Sequence, residues 1–199
     1  YCWAFASVAS MESSILSQNG LKSKLGENPQ DTIDLSEAGQ TWYIHSGIVD
    51  KSSPFYGDYI DDSSKGSNGG TSDTLAISLN SGFGTYPQSL CPYNEVKKGF
   101  SETLRYYSDY RLKDYSEISN NKDTLKSKIV SNGAVTVYYP SITDCYSYDY
   151  ANYYSDNTCI GIGDSHLIVV VGWDDNYSKD NFTGKVKPSN DGAWLCKNS

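Results

Sequence analysis

Tyr1-Cys2-Trp3-Ala4-Phe5-Ala6-Ser7-Val8 opens the chain, and its reading decides the fold. Ala4, Val8, Met11 and Ile15 recur at helical spacing until Asn19-Gly20 interrupts them. The spacing predicts a helix over Cys2–Gln18 with a cysteine at its N-terminus. A thiol attacks carbonyl carbon well only as a thiolate. A helix N-terminus favours that anion through its free N–H groups and its dipole. A neighbouring imidazolium would complete the activation. The chain offers only two histidines for that task, His45 and His166.

Outward from this helix, Ser36 is placed to cap a second one running through Trp42 and Ile44 to Gly47. Gly66-Ser67-Asn68-Gly69-Gly70 has no helical or strand period. Thr71 or Ser72 then caps a third helix with Leu75, Ile77 and Leu79, ended by Gly82. Beyond residue 92 the pattern changes. Arg105 to Tyr115 is Tyr-rich and reads as a strand, and Asn121 to Asn132 as a short helix stopped by Gly133. Val135 to Tyr139, Leu167 to Trp173 and Ala193 to Lys197 read as strands. The expected organisation is one α+β domain over 1–199, with a helical lobe over about 1–92 and a β-rich lobe over about 93–199.

Five stretches in order carry a family resemblance: Cys2-Trp3-Ala4-Phe5, Asp34-Leu35-Ser36-Glu37, Asn68-Gly69-Gly70, Ser165-His166-Leu167 through Gly172-Trp173, and Trp194-Leu195-Cys196-Lys197-Asn198-Ser199. Together they resemble the papain-like cysteine peptidases across essentially the whole chain. The resemblance implies a two-lobe papain-like fold with the cleft between the lobes. It implies hydrolysis of peptide bonds through a thioester, with Cys2 as nucleophile. His166 would be its acid–base partner and Asn198 the group that orients the imidazole. Gly69 and Gly70 correspond to the strip that lines the substrate cleft, and Ser165 stands beside His166 where many relatives carry Asn or Asp. No metal or cofactor is implied. Cys2 and His166 lie 164 positions apart, slightly beyond the roughly 130–150 of such enzymes, and a Tyr-rich insertion between Pro140 and Asp164 supplies the surplus. His45 lacks a matching flank and reads as a surface or packing residue.

Some departures from the family pattern are also legible. Its oxyanion-hole Gln falls ahead of Tyr1 and its Trp-Gly pair after Ser199, so both ends read as cropped from a longer protein. Lacking that Gln, the 199 residues alone are expected to turn over on the order of 10²–10³ more slowly. Ser67 stands where many relatives carry a disulfide cysteine.

Composition narrows the partners. Asp and Glu total 24 against 16 Lys and Arg, a net charge of −8, so the field is wrong for nucleic acid or an anionic membrane surface. No apolar run approaches the roughly 18 residues that span a bilayer. Cys145 and Cys159 flank the insertion and suit either a disulfide or two free thiols. Cys196, in an apolar strand, reads as a buried thiol. The acidic loop from Asp174 to Asn181 reads as a solvated turn more readily than as a calcium site. Few basic residues and many Tyr, Ser and Asn resemble extracellular or cell-surface bacterial members of the family. The expected partners are a protein or peptide substrate and a propeptide or inhibitor in the cleft, with the chain itself a monomer. Two rivals remain: a catalytically weak or inactive peptidase-like binding or adhesion module, and a smaller Cys–His cell-wall amidase.

Overall fold

The computed structural model describes residues 1–18, 33–48, 50–54, 56–57, 70–156, 158–159, 161 and 163–199. Helix α1 spans Cys2–Ser17 and buries Trp3, Ala4, Val8 and Ile15. Its small residues let neighbours approach closely. Ala9 meets Ala134 and Val169 in one cluster, while Trp3, Ala4 and Ala6 join Ile44, Leu75, Leu79 and Leu167 in another. One helix therefore packs against helical elements and a strand at once. Ser10 and Ser13 fasten it further: Ser10 Oγ donates to the Ala134 carbonyl at 2.8 Å and Ser13 Oγ accepts from the Ala134 N–H at 2.9 Å.

Helix α2 (Glu37–His45) starts where Ser36 Oγ accepts from the Gly39 N–H at 2.8 Å. Helix α3 (Ser72–Asn80) is capped by Thr71, and α4 (Lys122–Asn132) by Asn121. Gly133, at φ +95°, ends α4, and a Cβ there would lie 2.8 Å from Ser13 Oγ. Only glycine meets both demands at the α1–α4 approach. Leu75 and Leu79 face the core from α3, but Ile77 is 55% exposed. Two residues from each leucine, it sits about 200° round a helix of 3.6 residues per turn.

Five strands follow: β1 (Val135–Ser141), β2 (Tyr146–Ser147), β3 (Asn152–Tyr153), β4 (Asp164–Asp174) and β5 (Ala193–Lys197). β1, β4 and β5 form an antiparallel sheet in the order β1-β4-β5, with an irregularity between Val170 and Gly172. β2 and β3 pair as a short antiparallel ribbon. Among the described residues, three of the four helices end before residue 81 and every strand begins after 134. No helix among them is long and apolar enough to cross a membrane.

Arg105 to Tyr115 is not a strand, and this corrects the sequence expectation. Arg105 lies in a turn after the short 3₁₀ segment Glu102–Leu104, and its guanidinium is buried. It donates through Nη1 to the Tyr43 carbonyl at 2.9 Å, through Nη2 to the Ser46 carbonyl at 2.8 Å, and through Nε to Glu102 at 2.7 Å. These bonds satisfy carbonyls at the end of α2 and hold the following segment as an irregular connection. Arg105→Ala would leave both carbonyls without this donor, and is expected to lower unfolding free energy by about 3–5 kcal/mol in urea titrations.

Cys145 and Cys159 form a disulfide with Cα atoms 6.5 Å apart. In the chain-entropy description, closing a loop of this length contributes about 3 kcal/mol. The double change Cys145→Ser, Cys159→Ser is expected to lose about that much in the same titration, with an unchanged midpoint sinking the assignment.

Candidate active site

Cys2 is the first residue of α1. Ala4 and Phe5 donate their N–H groups to the Tyr1 carbonyl at 2.9 and 3.2 Å, so the Cys2 and Trp3 N–H groups stand ahead of the helical ladder. No acidic side chain occupies the first turn to oppose an anion there. The Cys2 side chain is half-buried and packs against the cluster holding Trp3 and Leu167. Gly70 lies on Trp3, where a Cβ would come within 2.6 Å of the indole ring. A side chain has no room there, so glycine keeps bare backbone beside the residue that follows the thiol. Gly69 lies outside the described residues.

His166 sits in β4, one residue before the buried Leu167. Its Nε2 is 2.7 Å from Asn198 Oδ1, and Asn198 follows directly on β5. The same Oδ1 accepts from the Ser199 N–H at 2.9 Å, which fixes the amide's orientation. An amide oxygen only accepts, so Nε2 carries the proton of this bond and Nδ1 is the ring nitrogen left to exchange one. A crevice lined by Phe5, Ala6, Leu167, Ile168, Asn198 and Ser199 runs between α1 and the sheet. The packing of α1 on β4 thus brings the cysteine end of the helix to the strand that carries His166. Ser165 is exposed on β4 and pairs in register with Pro140.

The remaining thiols have other surroundings. Cys91 is fully buried, and burial pushes its thiol up to about 11. Cys196 is exposed, which corrects the expectation of a buried thiol. It lies on β5, which has β4 on one side only in the described sheet, so an apolar neighbourhood in sequence does not enclose it. His45 is fully buried in the last turn of α2, edge-on to Trp3 with ring centroids 5.8 Å apart. That is a packing position.

Two carboxylates of the acidic turn have protein partners. Asp174 Oδ1 accepts from the Asn176 N–H at 2.8 Å, and Asp175 pairs with Lys126 at 2.6 Å. Among the described residues no group of three ligating side chains converges. Sequence reasoning missed one neighbour of the site. The Tyr139 ring lies 5.6 Å from the His166 ring, a contact set by strand register, which sequence spacing does not reveal.

Comparison with known proteins gives the same frame. The whole chain, residues 1–199, matches the family described as papain family cysteine protease. Two solved structures of the clostridial cysteine protease Cwp84 are similar to it. One, in the state after propeptide cleavage, superposes with a TM-score of 0.70 at 27% identity, covering 100% of this chain and 44% of that one. The other holds the cysteine protease and lectin-like domains of Cwp84, described as a surface layer associated protein of Clostridium difficile. It gives a TM-score of 0.66 at 25% identity, covering 100% and 40% respectively. The chain spans less than half the length of these two proteins. No curated protein matches it by sequence. A full-length family match, an α+β architecture that superposes on a papain-like protease, and a cysteine heading the first helix lead to one conclusion: the chain belongs to the papain family of cysteine proteases.

Proposed function

We propose that this chain is the peptidase domain of a bacterial cysteine endopeptidase that works outside the cell or at its surface, on peptide bonds in proteins. The observation that carries the chemistry is the 2.7 Å bond between His166 Nε2 and Asn198 Oδ1. It orients the imidazole and leaves Nδ1 to serve a thiol. Cys2 is that thiol. Its thiolate attacks the substrate carbonyl carbon, and the new C–S bond gives a tetrahedral oxyanion that the Cys2 N–H receives. As the C–N bond breaks, the imidazolium gives its Nδ1 proton to the leaving amine. Water, losing a proton to the same nitrogen, then hydrolyses the thioester.

Gly70 on the Trp3 side and Ser165 on the β4 side hold the substrate backbone extended. The helical part over about 1–92 and the β-rich part over about 93–199 are the two walls of this cleft. The description of Cwp84 as surface-layer associated supports the location, and its propeptide cleavage supports a precursor whose propeptide fills the cleft. Cys2, His166 and Asn198 all come from one chain, which supports a monomer as the working unit.

The test is an assay on a denatured protein substrate with and without a thiol-selective epoxide. Internal cleavage that the epoxide abolishes is expected. Tight binding of the substrate without any cleavage, by protein whose Cys2 reacts normally with iodoacetamide, would turn the reading to a binding module.

A further inference from the structure

The tyrosine-rich insertion takes no part in the chemistry above, yet it folds back onto Tyr139, the β1 residue opposite His166. β1 and β4 pair with Tyr139 directly opposite His166, the ring centroids 5.6 Å apart and the planes inclined by 67°. Tyr139 is half-buried, while Tyr138, on the other face of the strand, is 61% exposed. The Tyr139 ring also meets that of Tyr153, the centroids 4.9 Å apart and the planes inclined by 62°. Tyr153 Oη donates to the Pro140 carbonyl, closing β3 back onto β1. The ribbon that carries Tyr153 is tied at its base by the Cys145–Cys159 disulfide. A continuous run of contacts therefore leads from the disulfide through Tyr153 and Tyr139 to the imidazole.

One hydrogen bond does not define an imidazole's orientation. The outer torsion of a histidine side chain is broad and roughly two-fold, so a ring held only at Nε2 still swings about that bond. A second contact on a different part of the ring removes this freedom. We infer that Tyr139 is a positioning residue for His166, and that the disulfide-tied insertion is the buttress that holds Tyr139 in place. The inference rests on the reading of His166 as the acid–base group. The ring matters here and the hydroxyl does not, because the contact is edge-to-face between two π systems. Such contacts shift equilibria by about 3- to 10-fold, which sets the expected effect.

The experiment measures kcat and KM on a fluorogenic peptide, per active site titrated with an epoxide selective for activated thiolates. Tyr139→Leu is expected to lower kcat about 3- to 10-fold with KM unchanged, since a mis-set imidazole weakens the transition state and not substrate binding. Tyr139→Phe is expected to keep the wild-type kcat. Val137→Ala, on the same strand and opposite Ile168, serves as the stability control and is expected to lower the melting temperature without changing kcat. Tyr153→Ala, which leaves β1 intact, is expected to lower kcat in the same direction and keeps the test decisive if Tyr139→Leu does not fold. An unchanged kcat in Tyr139→Leu, or in Tyr153→Ala where it stands in, overturns the inference, as does an equal kcat loss in Val137→Ala. His166→Ala in the same assay separates the two readings. Full activity there would sink the role of His166 itself, whereas an inactive His166→Ala beside a fully active Tyr139→Leu would sink only the buttress.

Discussion

Cys2→Ala is expected to lower kcat on a peptide substrate by about 10⁶-fold while leaving the folded structure intact. Removal of the nucleophile in a triad that acts as a unit has a loss of that size. The fold should tolerate it, because the Cys2 side chain is only half-buried and the cluster around Trp3, Ala4 and Leu167 stands without its sulfur. KM for a peptide that lies along Gly70 and Ser165 should change little, since neither group is touched. The comparison variant is Cys91→Ser. Cys91 is fully buried and its thiol is pushed up by burial, so its loss is expected to alter stability and not the rate per folded molecule. The measurement is kcat for the two variants beside wild type, with circular dichroism to establish folding. Activity of Cys2→Ala above a hundredth of wild type would remove Cys2 from the mechanism.

The second large effect is that of His166→Ala. General acid–base groups contribute roughly 10²–10⁴ in rate, and in the proposed mechanism His166 also holds the nucleophile as its anion, so kcat/KM is expected to fall by about 10⁴. His45→Gln should behave otherwise. His45 is buried edge-on to Trp3, 5.8 Å between ring centroids, so its exchange disturbs packing next to the thiol and lowers the melting temperature. Its kcat is expected to stay within a few-fold of wild type. The outcome that contradicts the assignment is the reverse ranking, with His45→Gln dead and His166→Ala active.

Most of the helical frame is legible in the sequence because its determinants are local. Ser36, Thr71 and Asn121 accept from N–H groups two or three residues ahead, and Gly133 stops α4 with a backbone angle that other residues avoid. The strands at 135–141, 164–174 and 193–197 announce themselves as apolar or β-branched runs. What failed depended on distant partners. Arg105 to Tyr115 has the composition of a strand, but Arg105 reaches carbonyls some 60 positions away and fixes an irregular path. Ile77 falls on the wrong side of α3 for a core residue because spacing by two is not a helical period. Cys196 sits in an apolar strand and is nonetheless exposed, because β5 has a strand on one side only.

The site divides along the same line. Cys2, His166 and Asn198 are recognisable by their flanks, and the packing of α1 on β4 depends on small residues, Ala6 and Ala9, that the sequence displays openly. Gly70 reads from the sequence only as part of a glycine strip, and the reason for a glycine there, contact with the Trp3 indole, appears only in three dimensions. Tyr139 was visible merely as one of many tyrosines. The antiparallel register that sets it opposite His166 depends on how the insertion from Pro140 to Asp164 folds, and no spacing rule gives that.

In the proposed mechanism Cys2, activated by His166, is the thiol that becomes acylated. The direct measurement is to treat the folded protein with a biotinylated epoxide selective for activated thiolates, digest it, and map the adduct by mass spectrometry. The expected result is stoichiometric labelling of Cys2, slowed at least a hundredfold in His166→Ala and unaffected in His45→Gln. Labelling of Cys196, the exposed free thiol, or of Cys91, with Cys2 left unmodified, would contradict it.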